Sequence, residues 1–152
     1  MKTHQLTHEE VEQLLSSAQT GVLATLDEEG YPYAVPIQFI YINGKIYVHG
    51  LPKGQKIGNI LRDGRVSFTT YVAEGLIIGK EGNPCDVNTQ YKSVVVRGDA
   101  SFVSDPDVKK EVLLKLTAKY VPQYSSADIP DKAVRGTGVI EIVPVAITGK
   151  YY

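Results

Sequence analysis

The segment Gly50-Leu-Pro-Lys-Gly-Gln-Lys56 holds the residues best suited to bind an anion. It leads from a predicted strand, through a loop rich in Gly and Pro, into the start of a predicted helix. Free backbone N–H groups at a helix start attract phosphate, and Lys53 and Lys56 add positive charge. The alternative is a turn with two solvated lysines. The segment is not a Walker A loop, because Gln55 stands where that motif requires its second glycine.

Histidine and cysteine are the other residue types here that could do chemistry. His49 ends the strand before the loop, where a neutral imidazole can hydrogen-bond a ligand and a protonated one can donate a proton. The alternative is a strand-end histidine bonded to nearby backbone. His4 and His8 lie on either side of the predicted N-cap Thr7, and no third ligand is apparent, so we predict no metal site. Cys85 lacks a histidine partner, which favours a small, buried structural residue.

Composition limits the classes of partner. The chain has 152 residues, with 16 Lys and Arg against 17 Asp and Glu, and one Cys. Balanced charge disfavours duplex nucleic acid or an anionic membrane as partner. No segment approaches the roughly 20 apolar residues of a membrane span, and the first residues do not resemble a secretory signal. We therefore predict one domain, residues 1–152, in the cytoplasm, with neither a nucleic-acid nor a membrane partner.

The hydrophobic pattern predicts a mainly β (α+β) protein, an antiparallel Greek-key barrel with flanking helices. Thr7 and Glu10 form a capping box before the first helix, and Asn43-Gly44 predicts a hairpin turn. The strands are predicted at residues 22–26, 31–42, 45–49, 65–72, 91–103 (bent at Gly98) and 136–148. A short helix follows Lys56 and ends at Asp63, and another begins at Ser104 to Asp107 with Val108, Val112, Leu113 and Leu116 buried. The stretch from Ala73 to Thr89 is predicted to be irregular.

The 31–42 run is apolar on both faces. One face holds Tyr33, Val35, Ile37, Phe39 and Tyr41, and the other holds Ala34, Pro36, Gln38, Ile40 and Ile42. A strand in contact with water normally alternates with polar residues. One face therefore lines a barrel, and the other meets a ligand or a second subunit. Pro36 cannot donate to a ladder, which predicts a strand edge or bulge and leaves backbone groups free for a ligand.

An ordered set of short motifs resembles the pyridoxamine 5′-phosphate oxidase-like flavoproteins, and most closely the branch that contains the nitroimidazole-resistance proteins. The motifs are Gly21-Val-Leu-Ala-Thr-Leu26, Tyr31-Pro-Tyr-Ala-Val-Pro-Ile37, Ile46-Tyr-Val-His-Gly50, Gly54-Gln-Lys-Ile57, Arg65-Val-Ser-Phe68, Cys85, Tyr91-Lys-Ser-Val94, Gly98 and Ile147-Thr-Gly-Lys150. They span nearly the whole chain in the family's order.

The resemblance implies a split β-barrel homodimer that binds FMN at the subunit interface. Lys56 would meet the flavin phosphate, Gln55 takes the place of an arginine, and Ser93 would approach from a later strand. Residues expected beside the isoalloxazine ring are Tyr33, Ala34, Val35, Pro36, Ile37 and Gln38, with Val48 and His49 on the neighbouring strand.

The resemblance also implies an FMN-dependent oxidoreductase that reduces a small molecule. A nitroaromatic is the candidate substrate, a reduced nicotinamide the candidate electron donor, and His49 the candidate catalytic residue. The ending Gly149-Lys-Tyr-Tyr152 lacks the Arg- and His-containing segment that closes over pyridoxal phosphate in the oxidases, which argues against oxidation of that vitamin. The alternatives are a non-catalytic module that stores, senses or scavenges flavin or haem, with His49 as the candidate axial ligand, and a dimeric scaffold with an empty groove.

Overall fold

The computed structural model describes residues 3–79 and 83–152. These form a seven-stranded sheet of order β2-β1-β5-β6-β7-β4-β3, in which every paired neighbour is antiparallel. The strands are β1 (Gly21–Leu26), β2 (Pro32–Ile37), β3 (Ile40–Ile42), β4 (Lys45–Gly50), β5 (Arg65–Ile78), β6 (Val87–Phe102) and β7 (Gly138–Tyr151). The helices are α1 (His8–Ser17), α2 (Gln55–Arg62), α3 (Pro106–Tyr120) and α4 (Asp131–Gly136). The predicted fold class, an antiparallel split barrel with flanking helices, is confirmed.

The two edge strands of the sheet, β2 and β3, are consecutive in the chain. Only Gln38 and Phe39 separate them. The chain therefore passes from one edge of the sheet to the other within two residues, which brings the edges together and curls the sheet into a barrel. The prediction of one unbroken strand over residues 31–42 is wrong, because its first half pairs with β1 and its second half with β4.

The end of α3 holds this corner in place. The hydroxyl oxygen of Tyr120 accepts a hydrogen bond from the Phe39 N–H at 2.9 Å and lies 2.7 Å from the Phe39 carbonyl oxygen. The Lys119 ammonium donates to the carbonyls of Ala18 and Phe39, at 2.7 and 3.2 Å. It also lies 4.5 Å from the centre of the Phe39 ring. Desolvation by burial lowers the pKa of Lys119.

Two hydrophobic clusters lie on the two sides of β4 and β7. The main core fills the barrel and includes Phe39, Phe68, Ile46 and Val48. The second cluster packs α3 and α4 against the other face of these strands, and contains Tyr47, Val112, Leu113, Leu116, Val134 and Val139. Because side chains alternate along a strand, Ile46 and Val48 point into the barrel while Tyr47 points towards α3.

Helices α1 and α3 begin at the side-chain caps that the sequence contains. The capping box of Thr7 and Glu10 is present at α1, and Asp105 caps α3 through the N–H groups of Asp107 and Val108. Val112, Leu113 and Leu116 are buried as predicted, but Val108 is 36% exposed, because it lies in the first turn of α3, before the helix meets the sheet. Helix α4, which has no side-chain cap, was not predicted.

Among residues 3–79 and 83–152, no helix has the length and apolar character needed to cross a membrane.

Strands β5 and β6 extend beyond the barrel as a two-stranded ribbon. Pairing continues to Ile78 and Val87, with a register shift at Gly75, so the prediction of irregular structure from Ala73 to Thr89 is wrong for the paired residues. Residues 80–82 of that stretch lie outside the described residues. Cys85 is exposed rather than buried, because its segment extends past the core.

The predicted bend of the later strand is confirmed. The register of β6 against β7 shifts between Arg97 and Gly98. A Cβ atom at Gly98 would lie 2.5 Å from the carbonyl oxygen of Val143, so only glycine allows β7 to approach at this point. Strand β7 ends at Tyr151 instead of the predicted residue 148.

Candidate functional site

A cleft of about 290 Å³ lies between β2 and the loop that joins β4 to α2. We call it the split cleft, and its lining residues are Tyr33, Val35, Pro36, Ile37, Leu51, Lys53, Gly54, Gln55 and Lys56. On the side away from β1, β2 has no partner among the seven described strands. An unpaired strand edge presents backbone N–H and C=O groups. The cleft thus joins a hydrogen-bonding edge to the Lys-containing loop.

The start of α2 is open to a ligand. Gly54 is the N-cap, and no side chain of the described residues caps the helix. Its φ of 119° lies in the region that favours glycine. The Gly54 carbonyl accepts from Ile57 and Gly58, whereas the first N–H groups of any α-helix have no partner within the helix. The first turn also holds no acidic residue, so the positive end of the helix is not neutralised.

Lys56 brings positive charge next to His49. Its ammonium lies 3.6 Å from the position that a Cβ atom would take on Gly50, the residue that follows His49. Burial, and to a smaller extent the charge of Lys56, lower the pKa of His49 from its ordinary value of 6.5. Both effects disfavour the protonated imidazole, so His49 adds less positive charge to the cleft than Lys56 does.

Gln38 and His49 line a second cavity rather than the split cleft. This inner pocket has a volume of about 200 Å³ and is lined by Gln38, His49, Leu113, Leu116, Thr117, Tyr120, Val121, Ile129 and Thr137. Nδ1 of His49 is buried and has no hydrogen-bond partner among residues 3–79 and 83–152. A buried polar atom left without a partner costs about 1–3 kcal/mol.

The structure does not bring every predicted cofactor residue into the cleft. Val48 is 1% exposed, and its side chain belongs to the main core. Ala34 is exposed and does not line the cleft. Ser93 is paired with Tyr71 and Lys150 in the middle of the sheet and lines neither cavity. Of the proposed set, the structure gathers Tyr33, Val35, Pro36, Ile37, Lys53, Gln55 and Lys56 around one cleft.

Sequence reasoning missed two residues at the site. Leu51 lines the split cleft next to Gly54, and the strand-to-helix loop was the signal that contained it. Lys119, which holds the corner beside Gln38, carries no local signal because its partners lie 80 residues away or more.

The charged residues after α2 serve local structure. Asp63 and Arg65 form an ion pair at 2.6 Å, and hydrogen bonds from Arg65 lower the pKa of Asp63 to about 2. Arg62 donates to the carbonyl of Leu26. None of the three lines the split cleft.

Among the described residues, no group of three His, Cys, Asp or Glu residues is placed to hold a metal ion.

The outward surface of the sheet is apolar next to the cleft. Pro36, Val22, Thr69 and Val95 lie side by side across β2, β1, β5 and β6. We call this surface the outer face; it also includes Val143 and Val145, which are 42% and 72% exposed. A groove of about 580 Å³ adjoins this face at Val145, and its lining includes the charged residues Arg65, Arg97 and Asp99. Exposed apolar residues gathered on one face mark interaction sites, and Pro36 belongs to both the face and the cleft.

Comparison with known proteins shows which family and which solved structures this chain is similar to. The family model described as pyridoxamine 5′-phosphate oxidase matches residues 7–151. No curated protein sequence matches the chain. A candidate 5-nitroimidazole antibiotic resistance protein from Bacteroides thetaiotaomicron is 27% identical, with a TM-score of 0.81 over 96% of this chain and 85% of that one.

Two further solved structures share the fold at lower identity. The FAD and heme binding protein from Mycobacterium smegmatis is 17% identical, with a TM-score of 0.86 over 97% of this chain and 73% of that one. The flavocytochrome Anf3 from Azotobacter vinelandii is 21% identical, with a TM-score of 0.83 over 96% of this chain and 67% of that one.

Proposed function

Because the chain belongs to the pyridoxamine 5′-phosphate oxidase family, we propose that it is an FMN-binding flavoprotein, a homodimer that reduces a small molecule. The observation that carries this proposal is the split cleft, where an uncapped helix start and two lysines adjoin an unpaired strand edge. A phosphate suits the helix start, and a flat, hydrogen-bonding ring system suits the strand edge.

The residues of the cleft have separate roles in this proposal. Lys56 and the first N–H groups of α2 hold the phosphate, and Lys53, which is exposed, adds charge at the rim. The backbone of β2 from Tyr33 to Ile37 orients the ring. A bound flavin supplies the redox chemistry itself, so the chain contributes orientation, electrostatics and access. The lowered pKa of His49 suits a hydrogen-bonding residue better than a proton donor.

The candidate substrate is a nitroaromatic, with a reduced nicotinamide as electron donor. The likeness to the Bacteroides protein, at 27% identity, supports the substrate class.

Flavin binding is tested with FMN and with riboflavin, which lacks the phosphate. Replacing Lys56 by Ala removes a charge-assisted hydrogen bond of about 1.5–3 kcal/mol, so FMN affinity should fall by roughly 10- to 150-fold while riboflavin affinity stays unchanged. Lys132→Ala, on an exposed lysine of α4, is the control. The measurement is quenching of flavin fluorescence. Unchanged FMN affinity in the Lys56 variant, or equal losses for both flavins, would contradict the assignment.

The homodimer is proposed from the outer face and from the size of the cleft. Small-molecule sites usually measure about 300–1,000 Å³, and the cleft of one chain, about 290 Å³, lies at the bottom of that range. A second copy packed on the outer face would deepen it next to Pro36. Val145→Asp should therefore yield a monomer with weaker FMN binding. Leu61 is equally exposed at 72% but lies on α2, so Leu61→Asp is the matched control. Light scattering that shows a monomeric wild type, or a dimeric Val145 variant, argues against this interface.

The non-catalytic alternative is separated by reactivity. Mass spectrometry of the native protein identifies the bound ligand as FMN, another flavin or haem. Anaerobic mixing with reduced nicotinamide and a nitroimidazole then tests turnover. A protein that carries flavin, resists reduction and leaves the nitro compound intact would be a storage or sensing module rather than an enzyme.

A further inference from the structure

The ribbon that extends beyond the barrel carries large apolar side chains that are exposed in the single chain. We call its outer part, residues 74–78 of β5 and 87–90 of β6, the arm. Leu76, Ile78 and Val87 on the arm are 66%, 69% and 41% exposed. A two-stranded ribbon by itself is marginally stable at best in water. The arm therefore needs a further surface against its apolar side.

The apolar side of the arm continues the outer face. Leu76 and Ile78 are paired with Thr89 and Val87 of β6. Both of these β6 residues are an even number of positions from Val95, which belongs to the outer face. Side chains alternate along a strand, and paired residues share a side of the sheet. All five side chains therefore point the same way.

A β-bulge in β5 produces this arrangement. The pairing of β5 with β6 shifts register between Ala73 and Gly75, which leaves Glu74 as the extra residue. One extra residue reverses the alternation of all residues that follow it. Without the bulge, Ile77, which is only 42% exposed, would take the side of the outer face. The bulge instead turns the two most exposed apolar side chains of the arm to that side.

The groove that adjoins the outer face lies at the opposite end of the same strands. We call it the outer groove. Its lining includes Leu26, the last residue of β1, and Arg65, the first residue of β5. It also includes Ser67 and Arg97, which are paired across β5 and β6. One end of β5 and β6 thus carries a protruding apolar arm, and the other end carries a groove.

Ser93 lies midway between the arm and the outer groove. Arg97 is four residues from Ser93 along β6, and Thr89, the partner of Leu76, is four residues away in the other direction. At 3.2–3.4 Å per residue, each span is about 13 Å. A two-fold axis that crosses the strands at Ser93 would therefore place Leu76 of each copy over the outer groove of the other.

Charge favours this axis over an axis that runs along β5 and β6. The second axis would bring arm onto arm, with Glu74 facing its own copy, whereas the first brings Glu74 close to Arg97 of the partner subunit. In the part of the chain that the structure describes, neither residue forms an ion pair. Hydrogen bonding to Asp63 and, less strongly, the charge of Asp99 raise the pKa of Arg65, so these three charges are compensated within one chain. Opposite charges across an interface fix its register.

We propose that the arm joins two copies of the chain, with Leu76 and Ile78 of each arm on the outer groove of the other copy and Glu74 beside Arg97 of the partner subunit. The proposal rests on the proposed homodimer and adds its axis and its contacts. Each copy supplies one arm and one groove, so the contact is made twice and the assembly closes at two copies.

A charge swap tests the contact between Glu74 and Arg97. The dissociation constant of the dimer is measured by analytical ultracentrifugation over a concentration series. Glu74→Arg and Arg97→Glu each place like charges opposite one another twice in the dimer, so each should raise the dissociation constant by roughly 5- to 30-fold. The double variant restores both contacts and should dissociate like the wild type. The controls Glu9→Arg and Lys132→Glu, on exposed residues of α1 and α4, should have no effect.

Cross-linking tests the position of the axis. All chains carry Cys85→Ser, which removes the single native cysteine. In the variant Leu76→Cys/Ser67→Cys, a bifunctional maleimide that spans about 10 Å, the distance between packed sheets, should link two chains. Leu76→Cys alone should not be linked, because its two copies would lie about 26 Å apart. Circular dichroism confirms that each variant is folded.

The results distinguish the arm from the homodimer itself. A monomeric wild type would overturn both proposals. A dimer that persists unchanged in both single charge variants would overturn the arm contact and leave the homodimer standing. The same holds if the double charge variant fails to recover the dimer, or if Leu76→Cys alone is cross-linked, which would mean that arm packs on arm.

Discussion

Removing the Tyr120 hydroxyl tests the corner that closes the barrel. In Tyr120→Phe, the Phe39 N–H loses the oxygen that accepts from it at 2.9 Å. The Phe39 carbonyl still receives the Lys119 ammonium at 3.2 Å. The Gln19 carbonyl, 2.8 Å from the Tyr120 hydroxyl, belongs to an exposed residue and can bind water instead, so the buried group left without a partner is the Phe39 N–H. Phe39 is 0% exposed, which limits replacement by water. An unsatisfied buried donor costs about 1–3 kcal/mol.

The assay is urea unfolding followed by circular dichroism. We expect the free energy of unfolding to fall by about 1–3 kcal/mol with an unchanged m-value. The melting temperature should fall by roughly 2–12 °C, at about 2–4 °C per kcal/mol for a domain of this size. Tyr124, which is 60% exposed, gives the control Tyr124→Phe, expected to change stability by less than about 0.5 kcal/mol. A similarly small loss in the Tyr120 variant would refute the reasoning.

Two more predictions follow from the caps and from His49. Asp105→Ala removes the acceptor for the N–H groups of Asp107 and Val108, and should lower the free energy of unfolding by about 0.5–2 kcal/mol in urea titrations; no loss would mean that water caps α3. Folding lowers the pKa of His49, so the folded protein binds fewer protons at this residue than the unfolded chain does. The contribution of neutral His49 to the free energy of unfolding is therefore fully present above the ordinary pKa of 6.5, and it is lost as the pH falls below that value. The wild type should therefore lose stability relative to His49→Gln between about pH 7.5 and 5.5, and parallel curves would disprove the shift.

Much of the fold could be predicted because its signals are local. The capping box at Thr7, the turn at Asn43-Gly44 and the bend at Gly98 each depend on residues that are neighbours in sequence. The helix start at Gly54 was found in the same way, and it led to Lys53 and Lys56 without any structural knowledge.

The failures involve contacts between distant residues. Within residues 31–42, Pro36 signals a strand edge or bulge but does not place the break at Gln38. The residues that hold that corner, Lys119 and Tyr120, come much later in the chain. The ribbon beyond Tyr71 depends on pairing between β5 and β6, which overrides the glycines that suggested a loop. Helix α4 is short and uncapped, and tertiary packing of Val134 holds it in place.

At the candidate site, the residues near the ligand were easier to predict than the direction in which each side chain points. Alternation along β4 sends Val48 into the barrel and His49 towards α3, whereas the sequence alone placed both beside one ligand. The same alternation on β2 leaves Ala34 on the outside. A family motif specifies which residues lie near a site, but the register of each strand decides which side chains enter it.

The two-residue link between β2 and β3 has a consequence for how the protein unfolds. These strands are the first and last of the sheet order, and the split cleft lies between β2 and the loop after β4, so the cleft has its full shape only when every intervening strand is paired. The split cleft is therefore a property of the whole cooperative unit and cannot persist in a partly unfolded chain. A molecule that binds in the cleft should therefore stabilise the protein against global unfolding. Amide protons in β6 should exchange more slowly in its presence, even though β6 contributes no residue to the cleft.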